Sequence, residues 1–403
     1  MHLSECVWRT VVACALCVGA QGGMACCQDQ AGATGVGVRS ERGGGTANPI
    51  TAKYRFLGKF VDSFLHGYTY GYAPAIVHAR GLFHMFYCSN GIAEGDWDSI
   101  RYSVSEDGRA WSVPQVVLRV TDLEHERAAC DPSVVYFQGA QDDSPYYYLF
   151  YSGNAVDMQT VVFVARSRNI AGPYYKYVEP GEWEGARPAP FAGQYGRGIP
   201  KVVLRPRHPT RDRSGDGDTD PAAAWYGAGQ QTVLAKEGRL YMWYTDDTLL
   251  YPTRKIERLL VSSSYDPTQW PTAEPALTPS GSGSLEPLGV TSVDVKYDES
   301  GDEFVMFDIE GDHLPRPRLS TRSSKDGVRW SEPAVVCGGD CLSGHAHNPG
   351  VSGDPQGHLG PETALLAYEA PHVPGRDQWG MWDLYGAVLT FTPLGEHGLA
   401  RLR

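Results

Sequence analysis

The chain has 403 residues and a mass of 44.1 kDa, room for two or three domains of ordinary size. Hydrophobic residues make up 42%, so a substantial core can be buried and a wholly disordered chain is excluded. The formal charge of −12 comes without a long basic run, which argues against a nucleic-acid partner, whose phosphates demand Lys and Arg.

In chain order, the first element is a leader. Val7 to Ala20 is mostly apolar with Arg9 as its one basic residue, and Gly23-Met24-Ala25 has the small-x-small pattern of a cleavage site. Residues 1–27 therefore read as an export signal, and Cys26 leaves a lipid anchor open as an alternative to free secretion or a periplasmic location. The apolar core is too short to span a bilayer, and no later stretch approaches the roughly 18–20 residues required, so no transmembrane segment is expected. Residues 28–54, rich in Gly, Ala and Thr at first, read as a flexible tether.

Five of the nine cysteines lie in or beside the leader. Of the other four, Cys337 and Cys341 are spaced for a small disulfide loop in an oxidising compartment. A zinc site with His345 and His347 would be the alternative, but the spacing matches no standard zinc pattern. Cys88 and Cys130 are either a pair or two buried thiols.

From residue 55 onward one pattern recurs five times. A strand ending in aromatics and then a small or polar turn appears at Phe83–Tyr87, Tyr147–Tyr151 and Leu240–Tyr244, with weaker copies ending at Phe307 and Tyr368. Each is preceded by a β-branched run opening on polar or turn residues: Tyr72-Ala-Pro, Cys130-Asp-Pro, Gly229-Gln-Gln, Ser292-Val-Asp and His347-Asn-Pro. Three copies are followed by Ser-x-Asp-x-x-x-Trp, at Ser105–Trp111, Ser264–Trp270 and Ser324–Trp330. A turn repeated in several units serves what every unit shares, so these Asp and Trp residues read as structural. Three or four antiparallel strands in roughly 60 residues is the mark of a propeller blade. The expectation is an all-β chain, a five-bladed β-propeller over residues 55–403, acting as a monomer. The longer third unit carries an insertion, Arg205 to Ala222, whose Arg207, Arg211 and Arg213 read as a solvated patch.

In a propeller the start of each first strand and the end of each second strand emerge on one face. Here that face collects Tyr72, Asp131, Gln230, Asp294, His347 and Asn348 from strand starts, and Asn90, Asn154, Asp246, Asp247, Glu310 and Glu369 from strand ends. Trp97, Trp225, Tyr226 and Tyr251 lie on loops able to wall the same opening. Carboxylates, amides and aromatic faces around a cleft suit a sugar, and two facing carboxyl groups are what glycosidic hydrolysis requires. The alternative for Asp131 and Asp294 is strand capping through backbone N–H groups. The expected catalytic residues are Asp131, Asp294 and Glu310. Tyr72, Gln230, Asp246, Asn348, Glu369 and Trp225 are expected to bind substrate.

These residues resemble the five-bladed propeller glycosidases of the arabinanase and β-xylosidase type, glycoside hydrolase family 43 and its relatives, along essentially the whole chain after the leader. The matching motifs are Cys130-Asp-Pro-Ser-Val, the Tyr-rich second strands, Ala165-Arg-Ser167 with Gly172-Pro173-Tyr174, and the Asp-led turns. The resemblance implies an exported hydrolase of a poly- or oligosaccharide with no required cofactor. It also implies a general base Asp in the first blade, a pKa-tuning Asp in the second and an acid Glu in the third. Asp131 matches the second of these. The first blade instead has Ala73-Pro74 and the third Gly229-Gln230-Gln231, and neither Ala nor Gln can transfer the proton. Either Asp62 is the true first-blade counterpart, or the chemistry has moved to Asp294 with Glu310, Asp246 or Glu369. A central calcium or water cluster near a fifth-blade His is also implied, with His347 as its candidate against a purely structural His. Three readings follow: a hydrolase, a carbohydrate-binding propeller without catalysis, or an interaction scaffold, which would show apolar patches on its rim.

Overall fold

A computed structural model describes residues 50–61, 70–91, 98–154, 159–184, 198–206, 227–250, 254–276, 292–311, 314–339, 341–373 and 380–391, without the side chains of 247–250 and 254–258. The leader, most of the tether and the Arg-rich insertion lie outside these residues. So do Asp62, Trp97, Trp225, Tyr226 and Tyr251, and the side chain of Asp247.

The described residues are all-β: a five-bladed propeller of small antiparallel sheets. Blade one is β2 (Tyr72–Ala79), β3 (Leu82–Asn90), β4 (Asp98–Ser105) and β5 (Gln115–Arg119). Blade two is β6 (Cys130–Phe137), β7 (Tyr146–Asn154), β8 (Thr160–Ser167), β9 (Tyr175–Val178) and β10 (Glu182–Trp183). Blade three is β11 (Ala228–Lys236), β12 (Arg239–Leu250), β13 (Arg254–Ser264) and β14 (Glu274–Pro275). Blade four is β15 (Val293–Asp298), β16 (Glu303–Glu310), β17 (Arg318–Ser324) and β18 (Ala334–Cys337). Blade five takes β19 (His347–Val351), β20 (Thr363–Pro371) and β21 (Trp382–Phe391) from the C-terminal end, and its outer strand, β1 (Ala52–Val61), from the other end of the chain. The ring is thus closed by hydrogen bonds between the two ends of the domain. β1 begins inside the segment that composition reads as tether; it is placed by its pairing with β21 and by Phe60, which packs on Trp111 of blade one.

The aromatic markers fall on the second strands, which are buried on both faces between neighbouring blades; Tyr87, Tyr151 and Tyr368 have no exposed surface. The Asp-led turns do what repetition implies. Asp107 Oδ1 accepts the N–H groups of Arg109 and Ala110 at 2.8 and 2.9 Å, and Asp326 does the same for Val328 and Arg329. Their Trp residues wedge against the preceding blade rather than standing only beside their own fourth strand. Trp111 meets Phe60 of blade five, Trp270 meets Phe150 of blade two and Trp330 meets Trp243 of blade three, at 5.4, 5.7 and 6.2 Å between rings. In blade two Tyr174 takes that place, edge-on to Phe86 of blade one.

The first strands β2, β6, β11, β15 and β19 adjoin one another in ring order and line the channel. Its far end is closed by the loop between β19 and β20. Carbonyls of Gly353, Pro355, Gln356 and Gly357 accept N–H groups from His78, Tyr136, Ala235 and Tyr297, at the exits of the other four first strands, at 2.6–3.1 Å. Gly357 has φ +90°, and a Cβ there would lie 2.6 Å from the Leu234 Cβ, so only glycine passes. With this end plugged, a ligand can reach the channel only from the face where the first strands begin.

Candidate active site at the channel mouth

At that face four blades share one irregularity. Near the start of β2, β6, β11 and β19, Ala73, Asp131, Gln230 and Asn348 have φ of +45°, +46°, +48° and +46°. In each case the ladder to the second strand skips residues at the same place, between Tyr72 and Ala75, Cys130 and Ser133, Gly229 and Thr232, and His347 and Gly350. These are bulges, which re-aim a side chain out of the pleat, and all four residues line the channel. Asp and Asn adopt the left-handed conformation readily, whereas for Ala and Gln it costs about 1–2 kcal/mol. Blade four lacks the device: Val293 to Asp298 pairs without interruption.

Asp131 is 6% exposed. Its register is held by Cys130, which is joined to Cys88 of β3 with Cα atoms 4.9 Å apart, and by its own carbonyl, which accepts the Gln231 side-chain amide. Ser152 donates to the oxygen of that amide at 3.0 Å. The pairing of Cys88 with Cys130 settles the choice between disulfide and free thiols; Cys337 and Cys341 are also paired.

Glu369, at the end of β20, is fully buried. One oxygen accepts the Ala73 N–H at 3.2 Å, and the other lies 3.3 Å from His347 Nε2. Burial pushes its pKa well above the carboxylate range, and the negative charge of Asp131 adds to the effect against the opposing pull of the Ala73 N–H and the Asn348 amide. Burial and the neighbouring carboxylate thus favour the protonated form of Glu369. The His347 ring is consistent with this. Nδ1 lies 3.0 Å from the His345 carbonyl, which only accepts, so Nδ1 carries the ring proton and Nε2 can accept from the Glu369 hydroxyl.

Tyr72 stands over the same pair, half-buried, with its ring 5.6 Å from His347 and 5.1 Å from Trp382. Gln230 Nε2 donates to its hydroxyl at 3.5 Å. Burial, then the charges of Asp131 and Glu369, raise its pKa far above 10 and keep the phenol neutral. Asn348 Oδ1 accepts from Ser292 Oγ, which turns its amide N–H groups toward Tyr72 and Glu369. Behind the disulfide, Asp98 accepts from the Tyr70 hydroxyl; burial lifts its pKa to about 7, with Asp131 contributing.

Asp131, Tyr72, Gln230, Asn348, Glu369 and His347 thus come together. Asp294 and Glu310 do not join them as proton-transfer groups. Asp294 Oδ1 accepts from Lys296 Nζ at 2.5 Å and Thr232 Oγ1 at 2.7 Å, and Oδ2 from the Val351 N–H at 2.6 Å, so one carboxylate ties blades three, four and five. Glu310 is bound by Arg318 and, at 3.0 Å, by the fully buried Arg322, which also holds Asp308 at 2.9 Å. Asp246 is buried within β12, opposite Ala228 at the start of β11. Asn90 and Asn154 are half-buried at the ends of β3 and β7. Tyr70, Asp98 and Trp382 were not singled out from the sequence, which carries no repeat signal at those positions.

His347 Nε2, the atom by which the ring would hold a cation, faces Glu369 Oε1 at 3.3 Å. The grouping of Cys88, Asp98 and Cys130 has metal-like spacing, but its two sulfurs are spent on the disulfide.

No family model and no characterised protein matches the sequence. Solved structures do match the fold. An α-L-arabinofuranosidase from Podospora anserina, in complex with cellotriose, superposes with a TM-score of 0.54 at 11% identity, over 85% of this chain and 96% of that one. A family-117 glycoside hydrolase from the marine bacterium Zobellia galactanivorans gives 0.51 at 14%, over 85% and 91%. A thermostable family-43 glycoside hydrolase gives 0.53 at 13%, over 80% and 92%. The chain has the five-bladed propeller fold of these glycoside hydrolases.

Proposed function

We propose that the protein is an exported glycoside hydrolase that cleaves a poly- or oligosaccharide lying across the channel mouth. The observation that carries this reading is the burial of two carboxyl groups, Asp131 and Glu369, at one mouth, where burial and the Asp131 charge push the Glu369 pKa well above the carboxylate range. An acid and a base separated by environment rather than by residue type are what glycosidic hydrolysis asks for. Glu369 takes the part of the protonated carboxyl and Asp131 that of its partner facing the mouth. Tyr72, Gln230 and Asn348 supply a ring face and amides for the sugar. The channel itself has a volume of about 50 Å³, space for a few waters but not for a sugar ring, so the substrate stays at the mouth. The leader and the two disulfides support export.

A non-catalytic carbohydrate-binding propeller is the second reading, and one observation favours it. Ala73 and Gln230 occupy, in blades one and three, the left-handed position that Asp131 holds in blade two, and neither can move a proton. Reducing-sugar release from a broad panel of glycans, run beside calorimetric binding, separates the two. The hydrolase reading expects release that Asp131→Asn and Glu369→Gln each lower by about 10²–10⁴-fold with melting preserved. Saturable binding without release from any glycan would leave the lectin-like reading.

A further inference from the structure

The resemblance places a metal ion at the centre of the ring, and in the channel below the mouth the donor groups are already taken. Among the described residues, two carboxylates line it below the mouth. Asp294 makes the three bonds described above, and Asp354 Oδ1 accepts the N–H groups of Gln356 and His358 at 2.8 and 2.9 Å. The remaining charged lining group is a cation, Lys296. Its side chain is 11% exposed and its ammonium lies 2.5 Å from Asp294 Oδ1. The plug seals it in: a Cβ on Gly353 would sit 3.1 Å from Lys296 Cδ.

We propose that this propeller carries its own channel cation, the Lys296 ammonium held by Asp294, in place of a metal ion. Calcium needs six to eight oxygen ligands at about 2.3–2.6 Å. Here the Asp294 oxygens are spent on an ammonium, a hydroxyl and a backbone N–H. The cavity of about 50 Å³ would force a divalent ion close to the Lys296 charge, and two like charges in so small a space repel strongly. The ammonium does what a central ion would do: it neutralises the carboxylate that joins blades three, four and five. Because Lys296 is two residues from Asp294 on the same strand, both side chains fall on one face of β15, and the pair forms with the blade rather than being recruited from solution. The inference does not depend on whether the mouth is catalytic.

Metal analysis and thermal melting test it. The wild-type protein, purified without chelator, is expected to hold far less than one calcium per chain and to melt at the same temperature in EDTA and in excess calcium. Lys296→Met should lower the melting temperature, and adding Asp294→Asn should recover part of that loss by removing the stranded charge. A melting temperature that falls in EDTA, recovers with calcium and loses this response in Asp294→Asn would overturn the proposal. A calcium response that Asp294→Asn leaves intact shows an ion that does not use Asp294, and the Lys296–Asp294 pair stands. Should Lys296→Met fail to fold, the wild-type and Asp294→Asn measurements still decide.

Discussion

Two pairs of carboxyl groups occupy matching places in the ring, and their surroundings differ. In blade four, Asp294 at the strand-one position meets an ammonium, and Glu310 at the end of strand two meets two guanidinium groups. At the mouth, Asp131 is set in a bulge, and Glu369 meets a backbone N–H, an imidazole and an amide. Cations paired in place make a carboxylate structural. Burial beside another carboxylate makes it a proton carrier. Residue type and strand position alone do not separate the two cases; the neighbour's charge does.

The sharpest way to break this comparison is to unbalance the fourth blade. Arg322→Met strands Asp308 and leaves Glu310 to Arg318 alone, and removing one member of a buried ion network costs about 3–5 kcal/mol. Chemical denaturation should show that loss, while turnover per folded molecule stays near the wild-type value. A collapse of turnover without loss of stability would move the chemistry to Glu310. Next in size is the disulfide beside Asp131. Replacing Cys88 and Cys130 by Ser opens a closed loop of sequence separation 42, worth about 2–4 kcal/mol, and should lower both stability and glycan affinity because Asp131 follows Cys130 directly. Unchanged affinity in the folded fraction would show that the bridge serves the fold alone.

The third test is a pH slope from Asp98. Its pKa is about 7 in the folded protein, against 3.8 for a free side chain. The native state therefore binds more protons between those values, and its stability declines as pH rises from about 4 to 7 and then levels off. Asp98→Asn should remove that contribution, so its melting advantage over wild type grows across the window. An advantage independent of pH would show that Asp98 is ionised throughout.

Blade count and blade order could be read directly, because the Tyr-rich second strands and the Asp-led turns repeat the same local physics: two-sided burial and a capped turn. Asp131 was legible through Asp131-Pro132. Its partner was not, since Glu369 reaches it only when blade five closes against blade one, and no spacing encodes that contact. Glu310 carried a usable warning. Arg318 stands opposite it across the β16–β17 hairpin, with Arg322 further along the same strand, and opposite charges in antiparallel register form a pair. The plug loop has a turn-like sequence, Gly353-Asp-Pro-Gln-Gly-His358, but its four partners lie on four blades. That is a property of the closed ring.

The claim that Glu369 holds a proton beside Asp131 can be read directly by infrared difference spectroscopy of wild type against Glu369→Gln, recorded at pH 7. The account predicts a protonated-carboxyl stretch in the wild type that the substitution removes, and a Glu369 titration that moves to lower pH in Asp131→Asn as the neighbouring charge is lost. A Glu369 signal found only among the ionised carboxylate bands at pH 7 would contradict it.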